Sequence, residues 1–521
     1  MCGIAGFIDF KHKSSEEILK KMVSSMNHRG PDDSGVEMIQ EKNCLIGFGQ
    51  ARLSIIDLSS DGHQPMFHKN LTIVFNGEIY NYKEIRIELE KLGHVFRTHT
   101  DTEVILQSFA KWGVQCVQRF IGMFTFVIFD KETQKITIVR DRAGVKPLYY
   151  YYKDGLFLFG SELKALMVHT NFEKEVDVSV LPNYFQYGYI AAPYTIFKNT
   201  HKLMPGHILI MDLNNKSVTT ESYWNINVFY KKPKLTLSYQ EAKEEVKYLM
   251  KSALNYRMVA DVPVGVFLSG GYDSTAVTAI LQADSKMPLK TFTIGFEEGN
   301  NEAPYAKETA AYLGTDHKEY ICTTKEAQGI IPTLPFFFDE PFGDSSAIPT
   351  ILVSRLAKQQ VSVALSADAG DEVFCGYQSY FNLNAYLKKV DKIPSIAGKS
   401  FSSLLKLFEN NTDFNTSKAY YQMLKAMQSS MLSKIDKSAF LFQSMAEKPK
   451  GYIDKFFKSN INSHPSSFII DTKGFQSDLE VAMVIDFNSY LQNDILTKVD
   501  RASMSVSLEG REPLLDHRLA E

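Results

Sequence analysis

The sequence predicts an α+β unit of packed antiparallel sheets, then an α/β unit on a parallel sheet with a helical C-terminal part. Three observations predict it. Up to about residue 215 the chain is mainly apolar runs of strand length separated by hairpin turns. From about residue 260, near-continuous apolar runs alternate with helical stretches, the pattern of strands covered on both faces. Between them lie Asn214-Asn215-Lys216 and Lys231-Lys232-Pro233-Lys234, a polar stretch that divides the chain into domains at 1–215 and 236–521.

The elements follow in order. Residues 45–49, 71–75 and 124–129 read as strands, the last running into Asp130-Lys131. Helices are expected over 83–92 and 101–112. Ser238-Tyr239-Gln240-Glu241 has capping-box spacing and opens a long helix. Beyond it come a strand over 262–268, a helix over 274–282, a strand over 289–296 and a helix over 302–313. A helix over 348–358 and a strand over 361–366 complete the alternation, and past Asp371 the chain reads as largely helical.

At 521 residues the chain is long enough for two or more cores. A net charge of -3 gives no footprint for nucleic acid. No apolar run reaches membrane-spanning length. The opening apolar stretch is short and meets Lys11 and Lys13, unlike a signal peptide. The five cysteines, Cys2, Cys44, Cys116, Cys322 and Cys375, are few, odd in number and widely spaced. Neither a disulfide framework nor a zinc site is expected, and a reducing, cytoplasmic setting is.

Three clusters carry chemistry. The chain opens Met1-Cys2-Gly3-Ile4. Once Met1 is removed, Cys2 holds a thiol nucleophile and a free α-amine that can serve as its base. The plainer reading is an incidental cysteine. Leu268-Ser269-Gly270-Gly271-Tyr272-Asp273-Ser274 lies where a buried strand passes into a helix. Its glycines let the backbone approach a ligand, its amides form an anion site, and Asp273 suits magnesium beside a phosphate. The plainer reading is a glycine turn with a capping Asp. No Gly-x-x-x-x-Gly-Lys-Ser/Thr loop is present. Ser366-Ala367-Asp368-Ala369-Gly370-Asp371-Glu372 follows another strand at the edge where α/β sheets bind ligands. Asp371 reads equally as a second magnesium ligand or as part of an acidic helix start.

Further motifs accompany these: His28-Arg29-Gly30-Pro31-Asp32, Arg52-Leu53-Ser54-Ile55-Ile56-Asp57, Phe75-Asn76-Gly77-Glu78-Ile79-Tyr80-Asn81, Thr100-Asp101-Thr102-Glu103, Asp371-Glu372-Val373-Phe374 and Asp500-Arg501-Ala502-Ser503-Met504. With them the chain resembles, over nearly its whole length, the glutamine-dependent asparagine synthetases, the Asn-synthase branch of the class II amidotransferases. The resemblance implies an N-terminal-nucleophile glutaminase joined to an ATP-pyrophosphatase. Cys2 would form a thioester with glutamine, with Asn76 and the Gly77 amide as oxyanion hole. Arg52 would hold the glutamine carboxylate, Leu53, Ser54, Ile55 and Ile56 would border it, and Glu78 and Asp101 would take its α-amine. The plainer alternatives are a surface ion pair for Arg52 and a type I′ hairpin turn for Asn76-Gly77.

Ammonia would then pass inside the protein to a site where ATP and Mg²⁺ adenylate a carboxylate acceptor. By resemblance Leu268, Ile294, Ser366 and Ala367 border the nucleotide. Ser269, Gly270, Gly271 and Ser274 cradle pyrophosphate, Asp273 and Asp371 hold Mg²⁺, and Asp368 acts on the acyl-adenylate or the incoming amine. The partners implied are small molecules (glutamine, ATP and a carboxylate acceptor) and a second copy in a homodimer.

Two departures bear on the acceptor. Around Asp339–Ser346, aspartate-using members carry a Thr-Thr-x-Arg segment, and no matching Arg stands here. Family members also continue past the position of Glu521 with a transition-state Lys; the second domain is expected to be truncated, and Lys498 is a candidate substitute for that Lys. Aspartate is the expected acceptor. The alternatives are a uronic acid carboxyl in bacterial surface polysaccharide synthesis, and a glutaminase with a non-functional synthetase half.

Overall fold

Alternating side chains along the N-terminal strands build two sheets that share one core. The computed structural model describes residues 2–297, 301–394, 399–403, 417–448, 457 and 470–521. One six-stranded sheet runs Thr200–Lys202, Tyr149–Lys153, Leu156–Gly160, Gly3–Asp9, Leu45–Arg52, Asp33–Gln40; the other runs Val218–Ser222, His207–Asp212, Lys135–Arg140, Gly122–Asp130, Leu71–Ile79, Met66–His68. Neighbouring strands in both are antiparallel.

Side chains one residue apart point to opposite faces. Ile4 and Ile8 therefore meet Ile46, Phe48, Val74 and Val127 between the sheets. Ala5 and Phe7 turn the other way, onto Leu19 and Met22 of the helix Glu16–Ser24. Ile73 and Phe75 pack on Ile85, Leu89, Val104 and Ile105 of the helices Tyr82–Lys91 and Asp101–Trp112. The result is helix, sheet, sheet, helix.

The second unit carries a five-stranded sheet in the order Asp316–Cys322, Lys290–Phe296, Val264–Phe267, Val363–Leu365, Glu509–Arg511. Every neighbouring pair in it is parallel. Its first helix, Tyr239–Arg257, starts with the expected capping box of Ser238 and Glu241. The expected helices appear as Tyr272–Asp284, Ala303–Leu313 and Ala347–Lys358. Among the described residues, the part beyond Asp371 is helical except for Glu509–Arg511. Val218–Ser222 adds a strand beyond residue 215, and the exposed connector runs over 232–238.

The halves are joined by buried charge. The Arg29 guanidinium donates to both Asp500 carboxylate oxygens at 2.8 and 2.9 Å and to Glu162 at 2.9 Å. Arg501 pairs with the same Glu162 at 2.8 Å, and Lys164 bridges Glu162 and Asp339. Arg29, Glu162, Asp500 and Arg501 are all almost fully buried. Such a network tolerates no missing member, because each loss strands a charge in the interior.

Candidate functional site

The apolar alternation between the sheets turns polar at one end. On the Leu45–Arg52 strand, Ile46 and Phe48 are followed on the same face by Gln50 and Arg52. On Leu71–Ile79, Val74 is followed by Asn76 and Glu78. Cys2 precedes Ile4 on that face and completes the group. Its backbone N–H donates to Asn76 Oδ1 at 2.9 Å, and its Sγ lies 3.9 Å from the Leu53 carbonyl oxygen. Burial pushes the thiol above its ordinary value.

Asn76 and Gly77 are not a hairpin turn. They lie inside a strand, opposite Thr125 and Phe124. Gly77 has φ +141°, and a Cβ there would strike the Met123 backbone, so only glycine fits. Nor is Arg52 in a surface ion pair. It is buried and donates to the carbonyl oxygens of Ser59 at 2.9 Å and Asp57 at 2.5 Å. Ser54 N–H donates to Asp32 at 2.8 Å, and Leu53, Ile55 and Ile56 are buried beside it. This loop is tied to the second unit: Asp57 N–H donates to Asp261 at 2.8 Å, and Asp261 N–H donates to the Ile55 carbonyl at 2.9 Å.

Two acids complete the first site. Asp101 opens its helix and accepts from Ile79 N–H at 2.9 Å, yet burial pushes its carboxyl up to about 7. Burial, then Glu509 and Asp101, push Glu78 well above the usual carboxylate range. Asn76 Nδ2 and Glu78 Oε2 are buried with no hydrogen-bond partner. Orphaned buried groups of this kind are costly and mark places where a ligand supplies the missing partner.

The second constellation lines a cleft of about 810 Å³. At the end of Val264–Phe267 the chain turns through Ser269-Gly270-Gly271 into the helix Tyr272–Asp284. Ser269 and Ser274 hydroxyls are 2.9 Å apart, and Gly271 N–H donates to Ser269 Oγ at 3.3 Å. Gly270, at φ +82°, packs against Tyr305 and Ala306. Leu268, Ser269, Gly271, Asp273, Ser274, Ile294, Ser366, Ala367, Asp368 and Asp371 all face the cleft, and Gly270 alone of the predicted set does not.

The two acidic loops touch. A Cβ on Gly370 would strike the Asp273 carboxylate. Burial raises the Asp273 carboxyl; burial, then Asp273 and Asp368, raise that of Asp371. Ala369 holds φ +77°, a strained value for a residue with a side chain, directly after Asp368. Asp368 itself bonds the Ser366 hydroxyl and donates its N–H to it at 3.1 Å. Among the described residues no group of three or more metal-type side chains forms. Two adjacent carboxylates beside a phosphate-type loop still fit magnesium, which usually takes one or two carboxylates plus substrate phosphates.

Lys498, considered in the sequence only as a substitute for the C-terminal Lys, lines this cleft, with Asp344 2.8 Å from its ammonium, a pairing that sequence reading missed. Lys498 and Asp344 lie 154 residues apart in the chain, and no local pattern joins them. Sequence reading also missed two small cavities of about 20 Å³ each at the junction of the halves, one lined by Arg140, Tyr149, Asp500 and Arg501, the other by Tyr80, Met123, Arg257 and Glu512. Each has room for a water-sized molecule.

A glutamine amidotransferase domain family matches residues 1–224, and the asparagine synthase family matches residues 245–521. A Methanocaldococcus jannaschii protein, "Putative asparagine synthetase (glutamine-hydrolyzing) 2", is 37% identical over 97% of this chain and 98% of its own length. Asparagine synthetase (glutamine-hydrolyzing) 1 of Bacillus subtilis is 33% identical over 99% of this chain and 79% of its own. Asparagine synthetase (glutamine-hydrolyzing) 3 of the same organism is 29% identical, covering 100% and 80%.

Proposed function

The chain belongs to the glutamine-hydrolysing asparagine synthetase family, and from that premise we propose that it uses ATP to amidate aspartate with nitrogen taken from glutamine. The Cys2 thiolate attacks the glutamine side-chain amide carbon. Ammonia leaves, and water releases glutamate from the thioester. Asn76 Nδ2 and the Gly77 N–H receive the oxyanion, Arg52 with the Leu53–Ile56 loop holds the glutamine carboxylate, and Glu78 and Asp101 hold its ammonium.

In the cleft the acceptor carboxylate attacks the α-phosphorus of ATP and pyrophosphate leaves. Ammonia then attacks the acyl carbon, and AMP leaves. Ser269, Gly270, Gly271 and Ser274 cradle the departing pyrophosphate. Leu268, Ile294, Ser366 and Ala367 border the nucleotide, and Asp368 takes the proton lost by the attacking amine. Asp273 and Asp371 are the residues that would hold Mg²⁺, which offsets phosphate charge when bound. Ammonia passes between the sites through the buried junction, where the two small cavities lie.

One observation carries the proposal: Cys2 stands beside buried polar atoms that lack partners, in a chain whose other half opens a cleft with paired carboxylates. Pyrophosphate release in the presence of glutamine and ATP tests it. Aspartate is expected to stimulate release with asparagine formed. Stimulation by uronic acids alone would replace the acceptor. Glutamine hydrolysis with no pyrophosphate from any acceptor would sink the synthetase reading.

A further inference from the structure

On that reading, the cleft must admit a dicarboxylate: one carboxylate is activated and the other needs a partner. The cleft is hostile to it. Asp273, Glu302, Asp368, Asp371 and Glu372 all line the walls. A second carboxylate entering among them is repelled unless a cation receives it. Among the described lining residues, Lys498 is the one Lys or Arg.

Lys498 does not stand on the strand-end loops that carry Asp273 and Asp371. It belongs to the helix Leu496–Met504, which follows the π-helical segment Phe487–Ile495. Ile495 and Val499 share its wall with Pro349, Thr350 and Val353 of the helix Ala347–Lys358. A π-helical segment inside a helix often marks a functional position, because it re-aims the side chains that follow.

The ammonium is held in place. Lys498 Nζ lies 2.8 Å from Asp344 Oδ2, and both side chains are 12% exposed. Asp344 is pinned in turn, accepting from Ser346 N–H at 2.8 Å. Asp494, one helical turn before Lys498, backs this pair: burial and Asp344 push its carboxyl up to about 7, and its Oδ1 has no partner. Lysine has three donors and Asp344 uses one, so the rest are free to face the cleft.

We propose that Lys498 grips the acceptor's second carboxylate, with Asp344 and Asp494 as positioning residues. This divides the cleft. The strand-end loops take the phosphates and the helical wall takes the acceptor.

The test compares aspartate with β-alanine, which keeps the reacting carboxylate and lacks the second one. Glutamine-dependent pyrophosphate release is titrated with each acceptor at saturating ATP. In Lys498→Met the KM for aspartate is expected to rise at least about tenfold, the cost of losing a charge-assisted contact. The kcat/KM preference for aspartate over β-alanine should fall toward one, while the KM for ATP stays within about threefold. Lys498→Arg keeps the charge and should restore most of the preference. Asp344→Asn, which frees the ammonium, should lower it partway. An unchanged preference in Lys498→Met, or a loss confined to the KM for ATP, overturns the assignment. If the unmutated protein itself gives no aspartate-dependent release, the parent reading has failed, and this one falls with it.

Discussion

Cys2 sits where two antiparallel sheets run out of apolar residues, whereas Asp273 and Asp371 sit on loops beyond the ends of parallel strands. The first site is sealed: Cys2, Arg52, Asn76, Glu78 and Asp101 are all buried. The second is open, and Tyr272 in its loop is 97% exposed. A sealed site inherits its geometry from strand register and stores its cost as partnerless atoms and displaced carboxyls. An open site leaves charge to be balanced by what binds. The two should therefore fail differently.

The largest failure belongs to Cys2, the proposed nucleophile. Cys2→Ala should reduce glutamine-dependent pyrophosphate release by about 10⁴-fold, since no other group there can form the thioester. Ammonium chloride should still drive the second site. If ammonia-dependent release collapses as well, the sites are not separable and the comparison breaks.

Arg29→Met attacks what joins them. It leaves Glu162 and Asp500 buried without their shared guanidinium, and Arg29 also donates to the Cys2 carbonyl at 3.1 Å. Removing one member of a buried ion pair costs about 3–5 kcal/mol. A loss of that size in unfolding free energy, read as a lower urea midpoint, is expected, with glutamine-dependent and ammonia-dependent activities falling together. A midpoint unchanged within error would show the network to be incidental.

Asp273→Asn tests the open site alone. Pyrophosphate release should fall about 10²-fold and the dependence on Mg²⁺ concentration should move upward, because the proposed Mg²⁺ pair would keep one charged ligand instead of two. Retained activity with an unshifted Mg²⁺ dependence would remove Asp273 from the metal.

Much of this was legible before the structure. Cys2, Asn76 and the Ser269–Ser274 loop announce themselves because each motif is local, and local chemistry survives in a string of letters. The Ser238 capping box did too, for the same reason. The strand Glu509–Arg511 did not: two of its three residues are charged, and burial suits them because Arg511 pairs with Glu509 at 2.6 Å and donates to the Arg257 and Val259 carbonyls at 2.6 and 2.7 Å. The edge strand Asp316–Cys322 hides behind its solvent-facing charges. Lys498 and Asp344 are separated by 154 residues, and Arg29 and Asp500 by 471, so only the fold could pair them.

The smallest effect sharpens the sealed site. Burial raises the Asp101 carboxyl to about 7, and Glu78 beside it is raised as well. Each binds its proton more tightly folded than unfolded, so the stability it contributes is present at low pH and lost as pH rises through the folded value. Without ligand the pair is thus costly above about pH 7. A bound ammonium removes that cost, and it needs the carboxylates charged. The kcat/KM for glutamine should therefore fall as pH drops below about 7, by up to about tenfold per unit. The kcat measured at saturating glutamine should fall less, since bound glutamine keeps the acids ionised. The Cys2 α-amine would bend both profiles alike, so the difference between them reports the acids. In the Cys2→Ala protein, glutamine should raise the melting temperature more at pH 8 than at pH 6. An equal rise at both would mean that Asp101 and Glu78 do not meet the ammonium.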